Sequence, residues 1–156
     1  MRVTIPIHLR WGDLDAYGHV NNVTLLKLFE EARIRTFWAD PAASTVRDTA
    51  VLESGPGATS LTLIARQEIE YLQPMPYSQE PIRVQLWLSR FGGSSIEVCY
   101  EALAPEGDDT VYARGATVIV FVDAATGRPR KITDTERAAW APYLDEPLQF
   151  RRSGAS

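Results

Sequence analysis

The stretch RWGDLDAYGHVNN at residues 10–22 gathers the side chains best suited to chemistry. It contains the carboxylates Asp13 and Asp15 and the histidine His19, and it leads directly into an apolar run with helical spacing at residues 23–38. A carboxylate can serve as a general base or as a nucleophile. The first amides of a helix lack intrahelical partners, and they favour a developing negative charge. The stretch is therefore a candidate reaction centre at the junction of an extended segment and a helix.

Asp15 has a simpler alternative role as a helix cap. An Asp or Asn just before a helix ordinarily caps its first turn. Asp15 lies too far before Val23 to do so unless the helix starts early, whereas Asn21 or Asn22 could cap it directly. The spacing therefore argues against a simple cap and leaves Asp15 available for chemistry.

The other polar residues of the stretch also have structural interpretations. Gly18 predicts a positive φ or a close approach of the backbone. His19 could position a reacting group or a water, or it could be an ordinary hydrogen-bonded turn histidine. We expect Asp13 to be structural and to bond backbone amides within the loop.

The N-terminal part of the chain predicts a strand, a helix and a connection. Apolar and polar residues alternate over residues 3–11, and Pro6 suits an edge or a bulge because it has no N–H to donate. The apolar stripe at residues 23–38 is too broad for a surface helix, so we expect this helix to be largely enclosed. Residues 41–57 predict a connection with one short helix at residues 45–52.

The C-terminal part predicts a series of strands joined mostly by short turns, which implies antiparallel neighbours. The continuous apolar run at residues 116–122 predicts a central strand, and TDTE at residues 133–136 matches a capping box that opens a short helix. The four strand patterns occupy residues 59–72, 82–91, 95–104 and 111–122.

This order of elements indicates an α+β domain. One buried helix with one antiparallel sheet predicts a hotdog fold, in which a sheet of about five strands wraps around one long central helix. Such a sheet leaves edge strands unpaired, so we expect a homodimer with a continuous sheet. We assign residues 1–150 to this single domain and residues 151–156 to a flexible C-terminal tail.

The overall composition limits the partners and the compartment. With 156 residues, 45% of them hydrophobic, the chain can bury a core without disulfides or metal. The formal net charge of −4 gives no general attraction to nucleic acid or to an anionic membrane. Cys99, the single cysteine, is expected to pack in a strand rather than to react. No run is apolar enough to span a bilayer, so we expect a cytoplasmic protein without membrane insertion.

These motifs resemble the 4-hydroxybenzoyl-CoA thioesterase-like branch of the hotdog thioesterases, and the resemblance extends over about residues 3–140. The matching segments are D-x-D-x-x-G-H-V-N-N at residues 13–22, Glu30 or Glu31 with Arg33 in the helix, EIEYLQP at residues 68–74 and GSS at residues 93–95.

The resemblance implies a thioesterase that hydrolyses acyl-CoA to a free carboxylic acid and CoA. It assigns the catalytic carboxylate to Asp15, as general base or nucleophile, and the oxyanion donor to the backbone N–H near Asn22. Gly18 and His19 belong to the same catalytic motif. The sequence GHVNN at residues 18–22 looks more like the members that act on acyl-CoA than like those that act on aromatic acyl groups, which favours a fatty or generic acyl chain.

Coenzyme A would enter only as part of the substrate, and no other cofactor and no metal is expected. Its phosphates need local cations. The candidates are Arg90, beside the Gly92-Gly93 turn and favoured by the resemblance, and Arg66, Arg128 and Arg130. A basic turn that is simply solvated is the alternative for each of them.

Other functions remain open at this point. An acyl-carrier-protein thioesterase would use the same chemistry, and a non-catalytic module could bind acyl-CoA in the same pocket. The hydratases of the same fold resemble one another in an Asp and a His separated by four residues, whereas three separate Asp15 from His19. The expected homodimer could pair further into a homotetramer.

Overall fold

The computed structural model describes residues 1–151, so all but the first residue of the predicted tail lie outside the described residues. The strands are β1 (Val3–Ile7), β2 (Ser60–Tyr71), β3 (Ile82–Phe91), β4 (Ser95–Leu103) and β5 (Val111–Asp123). The helices are α1 (Asn22–Phe37) and α2 (Asp134–Trp140), with short 3₁₀ turns at Trp11–Asp13 and Ala141–Tyr143.

The five strands form one antiparallel sheet in the order β1-β3-β4-β5-β2. This confirms the predicted antiparallel sheet of about five strands. Pro6 lies in the edge strand β1 opposite Arg83, where its missing N–H leaves no gap inside the sheet. β5 lies between β4 and β2, as its continuous apolar run predicted.

The 16-residue helix α1 packs against the inner face of this sheet. Phe29 stacks on Tyr100 of β4 with ring centroids 4.9 Å apart. A Cβ on Gly115 of β5 would lie 2.9 Å from the Phe29 ring, so only glycine permits this close approach. The buried apolar residues of α1 are Leu25, Leu28, Phe29, Ala32 and Phe37. Burying each large apolar side chain contributes about 1.5–3 kcal/mol, which makes this face the main anchor of the helix.

The short helix predicted at residues 45–52 is wrong, because this part of the connection is irregular. Its polar groups form tertiary hydrogen bonds instead of helical ones. The Thr49 hydroxyl donates to the Thr36 carbonyl (2.6 Å), and the Trp140 indole N–H donates to the Thr49 carbonyl (2.9 Å). These bonds attach the loop to the core, so a helix there would sacrifice both.

The first strand is shorter than the alternation predicted. It ends at Ile7, and Trp11 is 75% exposed rather than buried, with its ring 5.3 Å from that of Tyr77. The chain turns there because the Asp13 carboxylate accepts the Arg10 N–H (2.8 Å). The predicted structural role of Asp13 agrees with this bond.

The edge strand β2 leaves most of its apolar side chains in contact with solvent. Leu61, Leu63 and Ile64 are 48%, 55% and 42% exposed. A register shift between Ile64 and Arg66 interrupts the alternation of faces along the strand. The predicted strand is present, but in this single chain its apolar side chains are not covered.

The C-terminal segment crosses the outer face of the sheet. The Trp87 indole N–H donates to the Glu146 carbonyl at 2.8 Å. Cys99 is buried, as a packing residue should be, and burial raises the pKa of its thiol. Within residues 1–151, no helix has the length and hydropathy needed to cross a membrane.

Candidate active site

Asp15 begins a tight turn just before α1. The Asp15 N–H donates to the His19 carbonyl (2.7 Å), and the Gly18 N–H donates to the Asp15 carbonyl (3.1 Å). Leu14 and Val20 form an isolated antiparallel bridge beneath this turn. Gly18 has φ +75°, the left-handed conformation that its sequence position predicted.

Backbone amides hold the Asp15 carboxylate by one oxygen. Its Oδ1 accepts the Tyr17 N–H at 2.8 Å and the His19 N–H at 3.1 Å. In the part of the chain that the structure describes, no hydrogen bond engages Oδ2. The side chain is half-buried. The turn therefore orients the carboxylate and leaves one oxygen available for a water or a substrate.

The segment after β2 fixes this turn from the other side. The Val20 N–H donates to the Met75 carbonyl at 2.9 Å, and His19 bridges to Pro76. Met75 is buried, so the turn is attached to the core rather than to a mobile surface loop. His19 itself is half-buried and lies beside Asp15.

The first turn of α1 has two caps for one amide. The Val23 N–H donates to Oδ1 of Asn21 and to Oδ1 of Asn22, both at 2.9 Å. Asn21 is the N-cap residue, as the sequence suggested, and Asn22 is the first helical residue. Among the hydrogen bonds of residues 1–151, none uses the Asn22 N–H. That N–H is available as an oxyanion donor.

Tyr71, at the end of β2, holds the same turn. Its hydroxyl donates to the Asn22 carbonyl at 2.9 Å. Sequence reasoning assigned no role to Tyr71, because a tyrosine in a strand is ordinarily a packing residue. Its position inside the EIEYLQP segment at residues 68–74 was the one available signal.

These groups meet in one open pocket of about 370 Å³. The structure thus brings the predicted residues Asp15, His19 and Asn22 together, while Gly18 shapes the turn behind them. The lining consists of Asp15, His19, Val20, Asn22, Leu25, Tyr71, Leu72, Gln73, Pro74 and Met75.

The four arginines predicted to bind the phosphates lie elsewhere. Within the described chain, none of them lines this pocket. Arg66 is exposed and pairs with Glu68 at 3.0 Å, and Arg90 and Arg128 are exposed. Arg90, Arg66 and Arg128 stay predictions as phosphate ligands.

Arg130 is engaged in holding α2. It donates to both carboxylate oxygens of Glu136, at 2.7 and 3.0 Å, and lies 4.9 Å from the centre of the Phe121 ring. This bidentate pair uses the donors that a phosphate would need. Phosphate binding by Arg130 would compete with this pair, and its assignment as a phosphate ligand stays a prediction.

Residues 9–143 match the family model of the thioesterase-like superfamily. The chain belongs to that superfamily. This confirms the family expected from the motif at residues 13–22. The YsmA protein of Bacillus subtilis (strain 168), which is named as uncharacterized, is 33% identical over 132 residues, covering 84% of this chain and 80% of its own.

Solved structures of thioesterases share the architecture. A predicted thioesterase from Bacillus stearothermophilus is similar with a TM-score of 0.73 and 27% identity, covering 95% of this chain and 100% of that chain. A thioesterase complexed with coenzyme A and Zn from Thermus thermophilus is similar with a TM-score of 0.67 and 25% identity, covering 92% of this chain and 95% of that chain. The fold of this superfamily member is accordingly that of the hotdog thioesterases.

Proposed function

We propose that this superfamily member is an acyl-CoA thioesterase with Asp15 as its catalytic carboxylate. The observation that supports the proposal most directly is the shared pocket of Asp15 and Asn22. Among the hydrogen bonds of the described residues, none engages Oδ2 of Asp15 or the Asn22 N–H, so both groups can contribute to this pocket. One group can activate an attacking oxygen, and the other can accept the charge that the attack creates.

In the general-base form of the reaction, a water oxygen bonds to the thioester carbonyl carbon while Asp15 takes the water proton. The Asn22 N–H donates to the resulting oxyanion. The carbon–sulfur bond then breaks, and the CoA sulfur leaves with the proton returned by Asp15. In the nucleophilic form, an Asp15 carboxylate oxygen bonds to the carbonyl carbon, the carbon–sulfur bond breaks and CoA leaves as the thiolate. Water then hydrolyses the mixed anhydride to the free acid and the Asp15 carboxylate, and the proton released goes to the CoA thiolate. Both forms release one free acid and one CoA.

CoA as the carrier is supported by the relative from Thermus thermophilus, whose structure contains coenzyme A. The phosphate ligands proposed here are the exposed arginines Arg90, Arg66 and Arg128. Acyl carrier protein is the alternative carrier, and matched thioesters of the two carriers would distinguish them by their kcat/KM values.

The proposal includes a homodimer. β2 pairs with β5 along one edge and is the last strand of the sheet, so a second copy could pair with its other edge and extend the sheet. The partner would then cover exposed apolar side chains such as Leu61 and Leu63. Sedimentation of the purified protein would report the mass. Whether two dimers associate into a tetramer is tested by the same measurement.

The decisive experiment is thiol release from a panel of acyl-CoA esters by the wild type and Asp15→Asn. We expect the variant to lose roughly 10²–10⁴-fold in kcat, the contribution of a positioned general base, with an unchanged circular dichroism spectrum. Asp109→Asn is a matched control, because the Asp109 side chain is 97% exposed. Full activity in Asp15→Asn would disprove the assignment.

A further inference from the structure

Helix α1 buries one arginine against the sheet. Arg33 is only 6% exposed, and its Nη1 lies 3.2 Å from the Tyr100 hydroxyl. No carboxylate of residues 1–151 lies within salt-bridge distance of it. A buried charge without a counter-ion is costly, and a guanidinium carries five N–H donors, of which Tyr100 can accept few. Arg33 therefore lacks the anionic partner that its burial calls for.

Arg33 lines a cavity with a volume of about 840 Å³. The cavity lies between the second half of α1, the loop at residues 38–54 and the first half of β2. Its volume is within the range of small-molecule sites, and it is more than twice that of the Asp15 pocket. Apolar lining is contributed by Ile34, Trp38, Ala39, Ala43, Val46, Ala50 and Ile64.

None of the carboxylates that line the cavity forms a salt bridge with Arg33 in the described chain. Glu31 and Arg35 pair with each other at 2.7 Å, and both are about half-exposed. Of the charged lining residues that the structure describes, Arg33 is the one that is buried. The others are Glu30, Glu31, Arg35, Asp40 and Arg47.

Different residues of α1 and β2 line this cavity and the Asp15 pocket. Asn22 of α1 and Tyr71 of β2 line the pocket, whereas Ile34 and Ile64 of the same two elements line the cavity. At a rise of about 1.5 Å per residue, Asn22 and Arg33 are separated by about 16 Å along α1. An extended acyl chain whose thioester lies at Asn22 could thus direct its far end toward Arg33.

We propose that Arg33 binds a carboxylate at the distal end of the acyl group, so that the preferred substrates are CoA monothioesters of dicarboxylic acids. This inference rests on the proposed thioesterase function and specifies its substrate class. A carboxylate satisfies the guanidinium with two parallel hydrogen bonds, while a plain fatty chain leaves it unpaired. A site built for such a group discriminates against the analogue that lacks it.

The test compares matched substrates that differ only in the distal group. The pairs are adipoyl- and hexanoyl-CoA, suberoyl- and octanoyl-CoA, and sebacoyl- and decanoyl-CoA. We expect the wild type to favour the dicarboxylic member at least tenfold in kcat/KM at one length or more. A ratio of one or below at every length would overturn the inference.

Variants of Arg33 locate the effect. Arg33→Met keeps the length of the side chain without its charge and should reverse the preference, and Arg33→Lys should retain part of it. Arg35→Met is the matched control on the exposed side of the same helix. If Arg33→Met fails to fold, the wild-type ratios still decide. If the Arg33→Met protein folds and keeps the wild-type preference, the inference is wrong. Dissociation of a dimer in the same variant would then identify Arg33 as an intersubunit group.

Binding separates this inference from the proposed function. Calorimetry with Asp15→Asn measures the affinity for each intact thioester. If the wild type hydrolyses the fatty thioesters without preferring the dicarboxylic ones, the thioesterase function is supported and the inference about Arg33 is wrong. If no thioester is hydrolysed, the proposed thioesterase function is wrong. The anion site would still be supported if Asp15→Asn binds the dicarboxylic member more tightly and the added substitution Arg33→Met abolishes this difference.

Discussion

The start of α1 and the start of α2 are both capped by polar side chains, but they lie in different surroundings. At α2, the Thr133 hydroxyl accepts the Glu136 N–H (3.1 Å), the Glu136 carboxylate accepts the Thr133 N–H (3.0 Å), and Arg130 neutralises that carboxylate. At α1, Asn21 and Asn22 both accept from one N–H.

The two starts differ in what lies beside their unused amides. The capping box of α2 satisfies two backbone donors reciprocally, which stabilises the helix. The doubled cap of α1 satisfies one donor twice, and the described hydrogen bonds leave the Asn22 N–H unused beside Asp15. The described hydrogen bonds also leave the Asp134 N–H of α2 unused, but Asp134 does not line the Asp15 pocket. Of these two free amides, it is therefore the one of α1 that lies beside a candidate catalytic carboxylate.

The largest effect on kcat is expected from removing the unused Asn22 N–H. Proline is tolerated at the first helical position, and Asn21, with ψ 140°, already has the conformation that precedes proline. Asn22→Pro should retain the fold and lose roughly 10²–10³-fold in kcat, as loss of one oxyanion donor does. Initial rates of thiol release measure the loss.

Two variants control this substitution. Asn22→Ala removes the side chain but keeps the N–H and should retain most activity. Asp134→Pro makes the same change at the first residue of α2, where Thr133 has ψ 159°, and should leave kcat unchanged. Equal losses in Asn22→Pro and Asn22→Ala would show that the amide is not the donor.

A second change weakens the start of α2. Thr133→Ala removes the cap of α2 and should lower the free energy of unfolding by about 1 kcal/mol. Urea denaturation measures this loss. Because α2 does not line the Asp15 pocket in the described chain, kcat should stay at the wild-type value. A catalytic defect in this variant would mean that the two helix starts are coupled.

The smallest effect is expected from Tyr71→Phe, which removes the hydroxyl that holds the Asn22 carbonyl. One neutral hydrogen bond contributes about 0.5–1.5 kcal/mol, so we expect a loss of a few-fold in kcat with KM nearly unchanged. Tyr17→Phe, with a side chain 85% exposed, is the control.

The contribution of Tyr71 should also depend on pH. Burial raises the pKa of Tyr71 above its ordinary value of 10.0. The neutral phenol is the donor, so its contribution is complete below the pKa of an unfolded tyrosine and is lost as pH rises through the higher folded pKa. The wild-type advantage over Tyr71→Phe should therefore persist through neutral pH and disappear in strongly alkaline solution. A constant ratio of the two rates across the alkaline range would contradict this.

Much of the fold could be predicted from short-range patterns. The strands β3, β4 and β5 lie within a residue of their predicted bounds, and the capping box at residues 133–136 opens α2. Alternation, turn residues and caps act between neighbours along the chain, so they are visible without the fold. The motif at residues 13–22 likewise indicated the superfamily, because its chemistry is local to one turn and one helix start.

The features that could not be predicted from the sequence depend on contacts between distant parts of the chain. The loop at residues 45–52 is irregular because Thr49 bonds to Thr36 and Trp140, and the apolar residues of β2 are exposed because that strand is at an edge. Such outcomes depend on which elements become neighbours, and local propensity is overridden by those contacts.

The motif at residues 13–22 was enough to place a carboxylate before a helix and to predict Gly18 as the turn residue. The fold added the partners that come from far along the chain, since Tyr71 reaches Asn22 across 49 residues and Tyr100 reaches Arg33 across 67. Sequence spacing does not indicate such pairs. They form only when the helix packs on the sheet, and the same packing buries the groups and so makes their hydrogen bonds important.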